Sequence, residues 1–117
     1  GIKFHDLDNE IILTQIRVPF SPKKWWYKKL RMRKTLDFTS LTIAATIDNQ
    51  DIARICLNGV SMTPILIEEP IETLTLESLI KQARKNCKTV DNDIMPLKYR
   101  REMINVYLEE FWNSIYI

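Results

Sequence analysis

The feature that most constrains the fold is a change in hydrophobic period halfway along the chain. Between residues 41 and 57 apolar and polar side chains alternate, so that one face of an extended chain is apolar. From residue 76 onward the apolar side chains recur every three or four residues, which is the spacing of a helix. Strands followed by helices, without βαβ alternation, predict an α+β domain in which C-terminal helices pack on one face of an antiparallel sheet.

The alternating region predicts a β-hairpin. Residues 41–47 and 52–57 each place their apolar side chains on one face, and the intervening DNQD at 48–51 is typical of a turn. A short strand is predicted at 65–67, between Pro64 and Pro70. Upstream, the β-branched run 11–18 predicts a strand that ends at Pro19. Residues 25–32 predict another extended segment, with aromatic side chains on alternating sides.

Two helices are predicted in the second half. Thr75 is a suitable N-cap for the first, and Pro96 suits the first turn of the second. The apolar positions expected to face the core are Leu76, Leu79, Ile80, Ala83 and Cys87 in the first helix and Ile104, Leu108, Phe111 and Ile115 in the second.

The residue inventory excludes several kinds of site. Gly59 is the only interior glycine, so neither a dinucleotide-binding fingerprint nor a P-loop is present. With one histidine, His5, and two separate cysteines, Cys56 and Cys87, the chain has no zinc motif and no disulfide framework. We therefore predict no metal site and no catalytic residue, and the cysteine usage favours the reducing cytoplasm. No apolar run reaches the roughly 20 residues of a membrane-spanning helix.

The charge is concentrated in one segment. Residues 23–34 hold seven of the 17 basic residues and no acidic one, which leaves ten basic against 15 acidic residues, a net charge of −5, in the rest of the chain. One interpretation is an exposed strand whose lysines keep it soluble and unpaired. Another is a small nucleic-acid-binding module in which the aromatic residues of 25–27 stack on bases. A third is an interaction domain without an activity of its own.

Four motifs in order resemble a known family. Residues 27–38 (YKKLRMRKTLDF) are similar to the lysine-arginine-aspartate entry of a family domain, and Ala44-Ala45 followed by 52–61 (IARICLNGVS) is similar to its second hairpin strand and glycine-valine turn. Tyr99-Arg100-Arg101 resembles the start of its last helix, and residues 10–19 (EIILTQIRVP) resemble the strand before the domain. The domain is the C-terminal domain of the FAD-binding (medium) subunit of molybdenum hydroxylases, which include carbon monoxide, xanthine and aldehyde oxidising enzymes.

The resemblance implies a domain organisation and partners. Residues 1–22 would be the end of the preceding FAD-binding domain and its linker, and residues 23–117 would be the C-terminal domain. The glycine-rich FAD-binding domain would be a missing partner, beside the molybdopterin and iron–sulfur subunits of a cytoplasmic oxidoreductase. FAD is then the expected cofactor of the intact subunit, whereas the isolated chain is expected to be inactive and not to bind FAD tightly.

The resemblance also implies three residues near the flavin. Leu13 matches a leucine that lies against the isoalloxazine, and Lys29 matches a lysine at the flavin edge, where a cation would favour negative charge on the ring. Lys28 is the alternative to Lys29, because the length of the preceding turn varies in the family. Arg33 matches the position of a basic loop beside the flavin. Tyr99 and Arg100 are expected to hold the last helix to the sheet.

Overall fold

The computed structural model describes residues 10–18, 22–31, 41–61, 63–87 and 96–115. Within these ranges four antiparallel strands form one sheet in the order β1-β2-β3-β4, and two helices follow them. The elements are β1 (Lys24–Leu30), β2 (Leu41–Ile47), β3 (Ile52–Asn58), β4 (Ile65–Pro70), α1 (Leu76–Asn86) and α2 (Leu97–Ile115). Both helices contribute to a single core on one face of the sheet, which is the predicted α+β arrangement.

The hairpin of β2 and β3 forms as the alternation predicts. Every second residue of β2 is buried, and the buried residues of β3 lie on the same face. The four-residue connection is held by Asp48, whose carboxylate accepts hydrogen bonds from the backbone N–H groups of Gln50 (2.9 Å) and Ile52 (3.0 Å). Asp51 adopts a positive φ of 58°, a conformation that Asp tolerates better than most residues. The turn chemistry therefore fixes the register of the two central strands.

The outer strands β1 and β4 form the two edges of this sheet. The extended segment predicted at 25–32 is confirmed up to Leu30 as β1, which pairs with β2 along its whole length; position 32 lies outside the described residues. The predicted strand at 65–67 is confirmed and continues to Pro70. A proline is tolerated there because an edge strand has one side on which its backbone N–H groups need no ladder partner.

The helices begin and pack largely as predicted. Thr75 caps α1: its side chain accepts a hydrogen bond from the Ser78 N–H at 3.1 Å, and Ser78 Oγ accepts one from the Thr75 N–H at 3.2 Å. The chain enters α2 through Pro96, whose carbonyl accepts from Arg100 N–H at 3.1 Å. The core-facing helical residues that are buried are Leu79, Ala83, Cys87, Ile104, Tyr107, Leu108 and Phe111.

The prediction of a strand at 11–18 is wrong. These residues have no regular secondary structure, and they pair with none of the described strands. Their large apolar side chains are exposed, with Ile12 84% and Val18 79% accessible. β-Branched residues favour a strand only where a neighbouring strand and a core are there to pack against, and this segment has neither within the described residues.

Candidate functional site

Strand β1 presents alternate residues to opposite sides of the sheet. We call the side away from the helices the open face; its residues on β1 are Trp25, Tyr27 and Lys29. They lie opposite Thr46, Ala44 and Thr42 of β2, whereas Lys28 lies opposite the buried Ile43. Because successive strand residues point to opposite faces, Lys28 and Lys29 cannot occupy equivalent positions.

Lys29 lies on the open face in a polar row. The register places it opposite Thr42, which in turn lies opposite Asn58 of β3. The side chain is half-buried, and within the described residues it takes part in no ion pair. A cation held at a sheet surface beside hydroxyl and amide groups suits an anionic or strongly polar ligand edge.

Lys28 is instead committed to helix α2. Its ammonium lies 3.0 Å from the Glu110 carboxylate and 5.6 Å from the centre of the Tyr107 ring. Burial raises the pKa of the Tyr107 phenol, and the nearby Lys28 charge opposes part of that rise. The sequence left Lys28 and Lys29 as alternatives for one role, and the structure separates them: Lys28 joins the sheet edge to the helix.

Apolar side chains are exposed on the rest of the open face. Trp25 is 74% and Tyr27 54% accessible, and Leu66 of β4 is 62% accessible. Tyr27, Ala44, Cys56 and Leu66 form one row across all four strands. Cys56 is half-buried in the middle of that row, and burial raises the pKa of its thiol, so it is a poor nucleophile.

An ion-pair chain closes one end of the open face. Arg54 donates to Asp48 Oδ2 and to Glu68 Oε2, each at 2.6 Å. The Arg54 guanidinium and the backbone N–H groups of the turn hold the pKa of Asp48 below its usual value. Both hydrogen bonds also raise the pKa of Arg54, which stays charged. This cluster is a structural clamp on the β2–β3 turn, since its charges compensate one another.

The basic residues that precede Lys28 are also engaged. Lys23 forms an ion pair with Asp51 at 2.8 Å, and Lys24 donates to the carbonyl of Ile115 at the end of α2, at 2.7 Å. The described cations of this segment, up to residue 31, therefore do not all serve as one free basic surface. Some of them tie the edge strand to its surroundings.

The other two residues expected near a flavin are placed differently. Leu13 lies in the irregular segment 10–18, is 48% accessible, and is neither in the core nor among the described side chains packed against it. Arg33 lies outside the described residues. The structure thus shows no contact that would join Leu13 to Lys29.

The residues at 59–60 and 99–101, far apart in sequence, meet in space. The buried Arg100 donates from Nη1 to the carbonyl of Gly59 at 2.8 Å. Gly59 has a φ of 89°, which glycine adopts without strain. Cys87 Sγ lies 3.5 Å from the neighbouring Val60 carbonyl. This hydrogen bond confirms the expectation that Arg100 holds the last helix to the sheet. Tyr99, for which the same role was expected, is exposed.

The described ranges show neither a metal-ligand cluster nor a membrane-spanning helix. They contain no group of three or more His, Cys, Asp or Glu side chains placed to hold a metal ion. Neither described helix is long and apolar enough to cross a membrane. No protein-family model matches the sequence, and no curated protein matches it significantly.

Proposed function

We propose that this chain is the C-terminal domain of the flavin subunit of a molybdenum hydroxylase, with Lys29 at the edge of the FAD isoalloxazine. The domain would line one side of the flavin and pack on the partner subunits of a cytoplasmic oxidoreductase. It would supply no nucleophile and no metal ligand of its own. Lys29 would lie at the edge of the FAD, which would supply the redox chemistry between the iron–sulfur subunit and the final acceptor.

The observation that carries the proposal is the hydrogen bond between Arg100 and Gly59. The glycine-valine turn and the tyrosine-arginine-arginine motif both resemble the family, and they lie 41 residues apart in the chain. Motifs that resembled the family by chance would have no reason to meet. Their direct contact supports reading them as parts of one inherited domain.

The open face supports a role for Lys29 rather than Lys28. Lys29 shares that face with the exposed ring of Tyr27, so that a planar heterocycle could meet an aromatic surface and a cation together. Lys28 would first have to leave Glu110 and Tyr107. The residues present therefore fit the edge of a flavin, with Lys29 as the charged contact. The role of Leu13 in this site remains part of the proposal.

Flavin titration of the complete subunit tests the assignment. We expect Lys29→Gln to weaken FAD binding and to lower the flavin reduction potential, because a positive charge near the ring favours the reduced form. Lys24→Gln is the matched control, since Lys24 lies on the same strand but contacts the end of α2. Leu13→Ala tests the apolar contact. Unchanged affinity and potential in both Lys29→Gln and Leu13→Ala would show that the site is assigned wrongly.

The partners are tested by isolating the protein from its source. A native preparation is expected to contain FAD together with molybdenum and iron in the co-purifying subunits, measured by absorption spectroscopy and elemental analysis. A preparation that contains neither a flavin nor these metals would contradict the oxidoreductase proposal.

A nucleic-acid-binding module remains the second candidate, because Trp25 and Tyr27 are exposed two residues apart on one face. Rings placed in this way can stack on successive bases of a single strand. Against it, Lys23, Lys24 and Lys28 already contact acceptor oxygens. Gel shifts with single-stranded oligonucleotides test this function. It requires binding that weakens as the salt concentration rises and that is lost in Trp25→Ala and Tyr27→Ala.

A further inference from the structure

A second concentration of positive charge lies on the helix side of the sheet. The last turn of α1 and the first two turns of α2 border an open groove of about 610 Å³. Its described lining consists of Arg84, Leu97, Lys98, Arg101 and Glu102. The fold thus joins cations that are separated by 14 residues or more in the sequence. The groove lies across the sheet from Lys29, because both helices pack on the face opposite the open one.

The described lining of this groove carries more positive than negative charge. Three cations face one carboxylate, and no ion pair within the described ranges neutralises Arg84, Lys98 or Arg101. Like charges that converge on one concave surface repel one another, so their convergence favours an anion between them. By contrast, Lys28 of β1 and Lys23 just before it are each paired with a carboxylate.

The groove is held by a rigid part of the fold. Arg100 anchors the start of α2 to the Gly59 carbonyl, which fixes the direction in which its neighbours Lys98 and Arg101 leave the helix. Cys87, at the end of α1, lies close to Arg101 and Arg100 at the start of α2. Burial raises the pKa of the Cys87 thiol, and the charges of these two arginines oppose the rise. The start of α2 that carries Lys98 and Arg101 is therefore fixed in place, while the side chains of Arg84, Lys98 and Arg101 are exposed and accessible to a ligand.

We propose that this groove binds a small phosphorylated molecule by its phosphoryl group. Arginine guanidinium groups match phosphate oxygens in pairs, and Lys98 adds a point charge. The groove is open to solvent and larger than a bare phosphate needs, so it has room for the organic part of a small molecule as well. Leu97 and the aliphatic stems of the basic side chains provide apolar contacts for the organic part. A nucleoside diphosphate is a ligand class that has both a phosphoryl group for the cations and an organic part for the apolar contacts.

Calorimetric titration with ADP, AMP, adenosine and inorganic phosphate tests the proposal. ADP is expected to bind more tightly than AMP, and adenosine not at all. Arg84→Gln/Arg101→Gln should weaken ADP binding at least about tenfold, because two charge-assisted contacts are lost. Lys81→Gln/Lys85→Gln is the control: it removes the same charge from exposed positions of α1 that do not line the groove, and it should change the affinity less than about twofold.

Glu102→Gln gives a test that a folding defect cannot imitate. This variant removes the carboxylate from the described lining, and ADP binding should tighten about two- to fivefold at low salt. Amide shifts in the ¹⁵N spectrum should centre on residues 97–102.

Three results would overturn the proposal. One is the absence of binding by ADP, AMP and phosphate at millimolar concentration. Another is equal loss of ADP binding in the Lys81→Gln/Lys85→Gln control. The third is an oligonucleotide that binds through the same residues far more tightly than ADP, which would assign the groove to a nucleic acid.

Discussion

Replacing Lys28 and Lys29 one at a time should affect stability very differently. Lys28→Met removes an ion pair with Glu110 at 3.0 Å and the ammonium from the Tyr107 ring at 5.6 Å. Both members of the pair are nearly half exposed, so after solvent screening the ion pair contributes about 0.2–1 kcal/mol. The cation–π contact adds about 0.5 kcal/mol at an exposed site. Lys29→Met breaks no described ion pair, and its effect should stay within about 0.5 kcal/mol.

Urea unfolding followed by circular dichroism measures these differences. We expect Lys28→Met to lower the free energy of unfolding by about 0.7–1.5 kcal/mol. With an unfolding entropy of about 2.1 cal/mol/K per residue over 117 residues, this corresponds to a fall in Tm of about 3–6 °C. A double-mutant cycle with Glu110→Gln should give a coupling energy that shrinks in 0.5 M NaCl. Equal destabilisation by both lysine variants, or no coupling to Glu110, would refute the assignment of the two lysines to opposite faces.

Three further predictions follow from the described contacts. Leu108→Ala, at a fully buried position of α2, should lower the free energy of unfolding by about 2–5 kcal/mol in urea, whereas a polar substitution at exposed sites of the same helix should not. Thr75→Ala should cost about 1 kcal/mol of stability by removing the cap on the Ser78 N–H, and Thr75→Ser should restore most of it. The pKa of Asp48 is lower in the folded than in the unfolded protein. Its ion pair with Arg54 therefore stabilises the fold above the unfolded-state pKa, and this contribution disappears as the pH falls through the folded-state pKa. Acid titration below about pH 4 should therefore show a smaller loss of stability in Asp48→Asn.

Local patterns were enough to predict most of the fold. The β2–β3 hairpin could be predicted because its alternation, its turn residues and its core face agree. Thr75 could be predicted as a cap because capping depends on the residues beside it. The strand predicted at 11–18 is absent, and that prediction rested on composition alone. β-Branched composition shows only that a segment can pair, and whether a partner strand lies beside it depends on the whole fold.

The candidate site depended on register, which a single sequence does not show. A shift of one residue moves every side chain of a strand to the other face, so Lys28 and Lys29 could not be separated before β1 was paired with β2. The groove was missed because its cations come from two helices that meet only after folding. The basic residues at the end of α1 are visible in the sequence, but the sequence alone supports reading them only as compensation of the helix dipole. That reading explains Arg84 alone, and not its convergence with Arg101.

The two proposed sites should act independently. Lys29 and the Arg84–Arg101 groove lie on opposite sides of the sheet, so the sheet separates a ligand in the groove from Lys29. Combining Lys29→Gln with Arg84→Gln/Arg101→Gln should give additive changes in flavin and ADP binding. Strong coupling between the two sets would mean that one extended polyanion wraps around the domain, and it would count against both proposals at once.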